Sequence, residues 1–192
     1  MTFAGVDFSD KPRDEIDFSR FEFGDDADFS RCKWRGVKEI PENPVIFEPG
    51  RAFFFFAAFG RFADFTGATF GNGATFMRAI FGHVARFNLA AFGDFTSFHG
   101  AVFGNGAGFK GAAFGNWTYF DGAAFVDGAK FNGAAFGNEA GFSHTAFGDG
   151  ARFNCVAFGD GAAFIDAAFG DGADFSCAAF GDEANFNRVA FA

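Results

Sequence analysis

The chain is 192 residues long, carries a formal net charge of −9 and is 49% hydrophobic, so it has material for a sizeable core. Its acidity argues against a nucleic-acid-binding surface, which needs a basic stripe, and three Cys make no disulfide framework. The longest apolar run, residues 52–59, is too short to cross a membrane. The opening Met-Thr-Phe-Ala-Gly-Val-Asp lacks the basic and apolar regions of a secretory signal, so a cytoplasmic location is expected.

Residues 1–34 are loosely repetitive. Phe3, Phe8, Phe18, Phe23, Phe29 and Trp34 share a register, with Arg13 in the place between Phe8 and Phe18. Val6, Ile16, Phe21, Ala27 and Cys32 stand two residues before a member of that series, Lys11 being the exception. Worn, polar first coils suit the end of a repeat array, and Cys32 reads as a small buried hydrophobe rather than a reactive thiol. Residues 35–51 break the pattern and hold Pro41, Pro44 and Pro49. They read as a projecting loop. Ile40, Val45, Ile46 and Phe47 would lie back over neighbouring aromatics, or the loop would serve as a contact arm. Of the run Phe53, Phe54, Phe55 and Phe56, only Phe54 is in the inward register, so the other three are expected at turns or outward, shielded by that loop.

The stretch 52–192 is strict. Its series is Phe54, Phe59, Phe65, Phe70, Phe76, Phe81, Phe87, Phe92, Phe98, Phe103, Phe109, Phe114, Phe120, Phe125, Phe131, Phe136, Phe142, Phe147, Phe153, Phe158, Phe164, Phe169, Phe175, Phe180, Phe186 and Phe191, in alternating steps of five and six residues. Two residues before nearly every one stands Ala, replaced by Thr96, Thr118, Thr145, Val156 or Val189. A period of 11 also fits a helical supercoil. Composition rejects it, because Gly repeatedly follows these Phe and costs about 1 kcal/mol per site inside a helix. Extended structure fits: in Ala-x-Phe the first and third residues point the same way, and Phe-Gly-Asp-Gly and Phe-Gly-Asn-Gly are turn chemistry. The prediction is a parallel coil with Phe inside, each buried ring contributing roughly 1.5–3 kcal/mol.

Ala-x-Phe at such short steps resembles the pentapeptide-repeat proteins. That resemblance covers almost the whole chain and implies an all-β fold: a right-handed quadrilateral parallel β-helix with four inward residues per coil. The six-residue steps depart from the family pattern. They make a coil of 22 residues, with wider turns on two opposite sides, or else a flatter coil of 11 residues with two Phe. The division expected is one domain with irregular coils over 1–34, an inserted loop over 35–51 and a regular solenoid over 52–192, the 26 Phe of the regular part making a rod about 30 Å long at about 4.8 Å per coil.

With 22 residues per coil, the extra residue of each six-residue step puts Phe62 and Val84 on one side and Phe95 and Trp117 on the opposite side, with Tyr119 close by. Stacked exposed aromatics read as a partner surface or as shields over a turn. Asp127, Asp149 and Asp171 form a column of like charges, which calls for a cation, a basic partner or hydration. Cys155 and Cys177 are neighbours on another column and are expected as free thiols, in-register stacking being a poor fit to a disulfide dihedral. The C-terminal coil is expected to be uncapped and is a possible homodimer contact.

No catalytic, cofactor or metal site is expected: His83, His99 and His144 are scattered, no Cys-His spacing fits a metal, and no Ser sits in a nucleophile elbow. The expected function is a non-enzymatic protein-binding scaffold, an acidic rod with no cofactor. The family resemblance adds an alternative, since some of its members protect DNA gyrase by imitating DNA. A structural or cation-binding repeat is the third reading.

Overall fold

The structure, a computed structural model, describes residues 1–7, 18–24, 26–33 and 52–192. Every backbone pairing in it is parallel. Phe59 registers with Phe81, Phe81 with Phe103 and Phe103 with Phe125, so the coil is 22 residues, not 11. It has four faces. Taking Phe54, Phe59, Phe65 and Phe70 as their inward residues, faces two and four are built from two-residue strands. An eight-stranded sheet runs from Glu22–Phe23 to Ala190–Phe191, and a six-stranded sheet from Thr69–Phe70 to Ala179–Phe180. Faces one and three are ladders of single bridges, such as Phe53–Thr75–Ser97 and Asp64–Arg86–Gly108.

Chain periodicity explains the core. The inward Phe of successive coils stack in four columns, with centroid spacings from 4.4 Å (Phe114–Phe136) to 5.2 Å (Phe18–Phe54). Adjacent columns meet edge-on, as between Phe120 and Phe109 at 5.7 Å and 88°. Each ring thus satisfies both favoured aromatic geometries at once. The Ala two residues earlier is buried beside it, Ala112 and Phe114 at 1% and 5% exposure being typical. Nothing larger than Thr or Val fills that slot in the regular stretch. The intervening residue faces out, and on face four it is Ala91, Ala113, Ala135, Ala157 and Ala179. In the last coil Phe175 and Phe180 are partly buried, while Phe186 and Phe191 are 40% and 60% exposed.

The N-terminal register corrects one expectation. Phe18, Phe23 and Phe29 stack under Phe54, Phe59 and Phe65, and Phe3 stacks on Phe29 at 4.8 Å. Phe3 and Phe29 are therefore one coil apart, whereas the sequence register counted five steps between them. Residues 8–17, Trp34 and the loop expected over 35–51 lie outside the described residues. Phe53 stands in the outward ladder of bridges with Thr75 and is nevertheless shielded. It is only 1% exposed, as is its outward neighbour Thr75 at 2%, whereas Phe56 is 48% exposed with the Arg78 guanidinium 5.6 Å from its ring. Cys32 is fully buried and its thiol donates to the Phe3 carbonyl, 2.7 Å.

Candidate functional site

The two kinds of step make two kinds of corner. Five-residue corners close on themselves: the backbone N–H of Ala123 donates to Phe120 O at 2.9 Å, and Ala112 repeats the bond to Phe109 O. Six-residue corners make no such internal backbone bond among the described residues. They are tied instead to the next coil by side chains. Asp94 N donates to Asn72 Oδ1 (2.9 Å), Asn116 N to Asp94 Oδ1 (2.8 Å) and Asn138 N to Asn116 Oδ1 (2.8 Å). The opposite corner repeats the device, with Asn105 N donating to His83 Nδ1, Asp149 N to Asp127 Oδ1 and Asp171 N to Asp149 Oδ1.

This accounts for the Asp column without a cation. Each carboxylate of Asp127 and Asp149 spends one oxygen on a backbone donor, a charge-assisted bond that offsets the repulsion between neighbours. Among the described residues no three His, Cys, Asp or Glu gather as metal ligands. The device also dictates the Gly that follows Phe. A Cβ at Gly115 would lie 2.5 Å from Asp94 Oδ1 and 2.6 Å from Asp94 N. The sequence contains its own exception in Val126, where the corresponding residue is not Gly. Below it the bond from Asp127 N to Asn105 Oδ1 is missing from an otherwise repeating series.

Leu89, Ile80, Val102 and Val126 stand out from this plain surface, and one region gathers outward aromatics. Phe95 and Trp117 stack at 4.7 Å and 12° on the corner between faces four and one. Both have left-handed backbones, φ 59° and 52°, where Gly161 of the same column is at home. A bulky side chain there costs about 1–2 kcal/mol. In these coils the preceding-slot Ala is replaced by a buried Thr whose hydroxyl closes the corner, Thr96 to Gly93 O (2.9 Å) and Thr118 to Gly115 O (3.1 Å). Tyr119 follows on face one, 37% exposed. A shallow depression beside it is lined by Met77, Ser97, His99, Tyr119 and Asp121. Burial pushes the Tyr119 phenol above its ordinary value, and the Asp121 and Glu139 carboxylates push it further.

The other expected site residues lie elsewhere. Phe62 and Val84 are half-buried on the diagonally opposite corner, and Phe62 is flanked by the guanidinium groups of Arg61 (5.2 Å) and Arg86 (5.7 Å). Asp127, Asp149 and Asp171 share that corner, so the aromatics and the Asp column do not form one site. His83 serves the corner ladder, His99 faces the depression, and His144 sits 3.7 Å from Asp166, which Arg188 grips with two 2.6 Å bonds. Arg188 holds the Asp166 carboxyl below the usual range. Sequence reading missed His99, Asp121 and the two Thr. The signal was there: reading every second residue across the corner gives Phe95-Ser97-His99 above Thr75-Met77 and below Trp117-Tyr119-Asp121.

Cys155 and Cys177 correct the expectation of free thiols: they are disulfide-bonded, with Cα atoms 4.6 Å apart. Both occupy left-handed corner positions, φ 54° and 50°, and parallel coil spacing alone brings their Cα atoms into bridging range.

A short-period parallel β-solenoid with four Phe columns and alternating corner types is the class of protein that fold and surface define. Its repeat and its coil fit those of pentapeptide-repeat proteins. No family model matches the sequence, and none of the curated proteins compared with it does. Among solved structures it is similar to HetL, a pentapeptide-repeat protein involved in heterocyst differentiation regulation from the cyanobacterium Nostoc sp. strain PCC 7120. Identity is 15% over 97% of this chain and 90% of that one, with a TM-score of 0.40. It is also similar to Rfr23, a pentapeptide-repeat protein from the cyanobacterium Cyanothece 51142, at 11% identity over 100% and 91%, with a TM-score of 0.20. Among the described residues no helix is long and apolar enough to cross a membrane.

Proposed function

We propose that the protein is a non-enzymatic scaffold that holds a protein partner against one side of its rod. The observation that supports this is the placement of Phe95, Trp117 and Tyr119. These are costly outward aromatics grouped on a surface that is otherwise mostly Ala, Gly, Asn and Asp. Exposed aromatic clusters on a rigid frame are the usual anchors of protein interfaces. The test is capture of partners by immobilised protein, with the Trp117→Gly rod as comparison. A partner retained by the wild type and lost by the variant supports the reading. No captured protein from any lysate would sink it.

The net charge of −9 and the carboxylates on both six-residue corners favour one rival, a DNA-imitating binder of DNA gyrase. Against it, face three carries Arg86, Lys130 and Arg152, so the acidity is not continuous round the rod. A gyrase supercoiling assay with and without a quinolone separates the two. Inhibition or protection that salt weakens would favour the rival, and no effect at micromolar protein would remove it.

A further inference from the structure

We infer that the surface formed by Trp117, Tyr119, Asp121 and Glu139 is a docking site for an arginine-bearing segment of a protein partner; this rests on the scaffold reading above. One ring face of Trp117 is covered by Phe95, and 39% of the residue stays exposed. A guanidinium stacks on such a ring and is held there by any carboxylate within reach. Two carboxylates flank the aromatics. Asp121 and Glu139 both act electrostatically on Tyr119. Asp121 gives one oxygen to Ser143 N at 3.0 Å. The Glu139 carboxylate lies over Gly161 on the next coil. Among the described residues neither forms an ion pair. The site is therefore aromatic and negative with no cation of its own, and its complement is positive and planar.

The site is also prearranged. The corner that carries Trp117 is closed by the Thr118 hydroxyl, and the rod beneath it is a stacked Phe column. Little ordering is left to be done at binding, which favours a short, flexible basic segment as the partner that becomes ordered. Arginine is preferred over lysine because its flat group both stacks and makes paired bonds to a carboxylate.

The test is fluorescence anisotropy with a labelled peptide of alternating arginine and glycine, against lysine–glycine and glutamate–glycine peptides of the same length. The variants are Trp117→Gly, Asp121→Asn and Asp171→Asn. Gly is native to the Trp117 column, Asn105 stands in the Asp171 column, and Asn88 on another five-residue corner accepts from Lys110 N as Asp121 does from Ser143 N, so all three keep the fold. Trp117→Gly and Asp121→Asn should each weaken the arginine peptide about tenfold, and Asp171→Asn, on the far corner, by less than about twofold. The lysine peptide should bind more weakly and the glutamate peptide not at all. Binding that Asp171→Asn weakens as much as Asp121→Asn would be a general charge effect and would overturn the inference, as would no arginine-peptide binding. A partner protein captured equally by wild type and Trp117→Gly would overturn the inference and leave the scaffold reading standing.

Discussion

Gly115 and Asp94 occupy one space. A methyl on Gly115 meets the carboxylate that accepts from Asn116 N. Gly115→Ala should therefore lower stability by about 1–3 kcal/mol, the usual cost of overpacking. Adding Asp94→Gly should return only part of it, because the carboxylate goes with the side chain while the backbone at Asp94 N, 2.6 Å from that methyl, stays in the way. Denaturant midpoints of the two single variants and the pair measure the coupling. Strictly additive costs would mean that the two residues do not share the space. Phe120 tests the core in the same assay. It is fully buried between Phe98 at 4.7 Å and Phe142 at 5.1 Å, so Phe120→Ala should cost about 3–5 kcal/mol. An unchanged melting temperature would mean that the ring does not face inward.

Corners decide how much of the molecule was legible in its letters. Counting gives the inward Phe but leaves the coil at 22 or 11 residues; once the register sets it at 22, Phe95 and Trp117 fall on the corner opposite Phe62 and Val84, because parallel pairing converts sequence separation directly into position. Counting does not show where a side-chain oxygen goes. Asp127 below Asp149 reads as repulsion until Oδ1 is seen to accept a backbone N–H from the coil above. Cys155 and Cys177 were placed as neighbours correctly and bonded wrongly, since the expectation rested on ideal stacked side chains rather than on left-handed corners. Thiol titration checks this element. The native protein should show no rapidly reacting thiol, and mild reduction should expose two, from Cys155 and Cys177. Cys32 should stay silent in both states, being fully buried with its pKa raised from 9.0 to about 11 by that burial. Its neutral form is the one the fold favours. That contribution is complete below pH 9.0 and disappears as pH rises through about 11. Three fast thiols in the native protein would contradict both assignments.

For the whole rod, the coil is the unit that matters. Removing residues 121–142 deletes one full register of 22 and rejoins Phe120 to Ser143, leaving all four Phe columns and both corner types in phase. That shortened chain should still unfold in one cooperative step with native-like circular dichroism. Removing residues 121–140 instead puts five- and six-residue corners out of phase and should give a broad, early transition. Equal behaviour of the two deletions would show that the register is not what holds the columns. The direction of the hydrogen bonds carries a mechanical consequence. Nearly all bonds between coils run along the rod axis, so a rod held by its two termini and stretched is loaded bond by bond, as in unzipping, rather than across many bonds in shear. Force–extension traces should show a low, even sawtooth in which each tooth frees one coil, roughly 70 Å of chain. The coil between Cys155 and Cys177 should yield no length until the bridge is reduced.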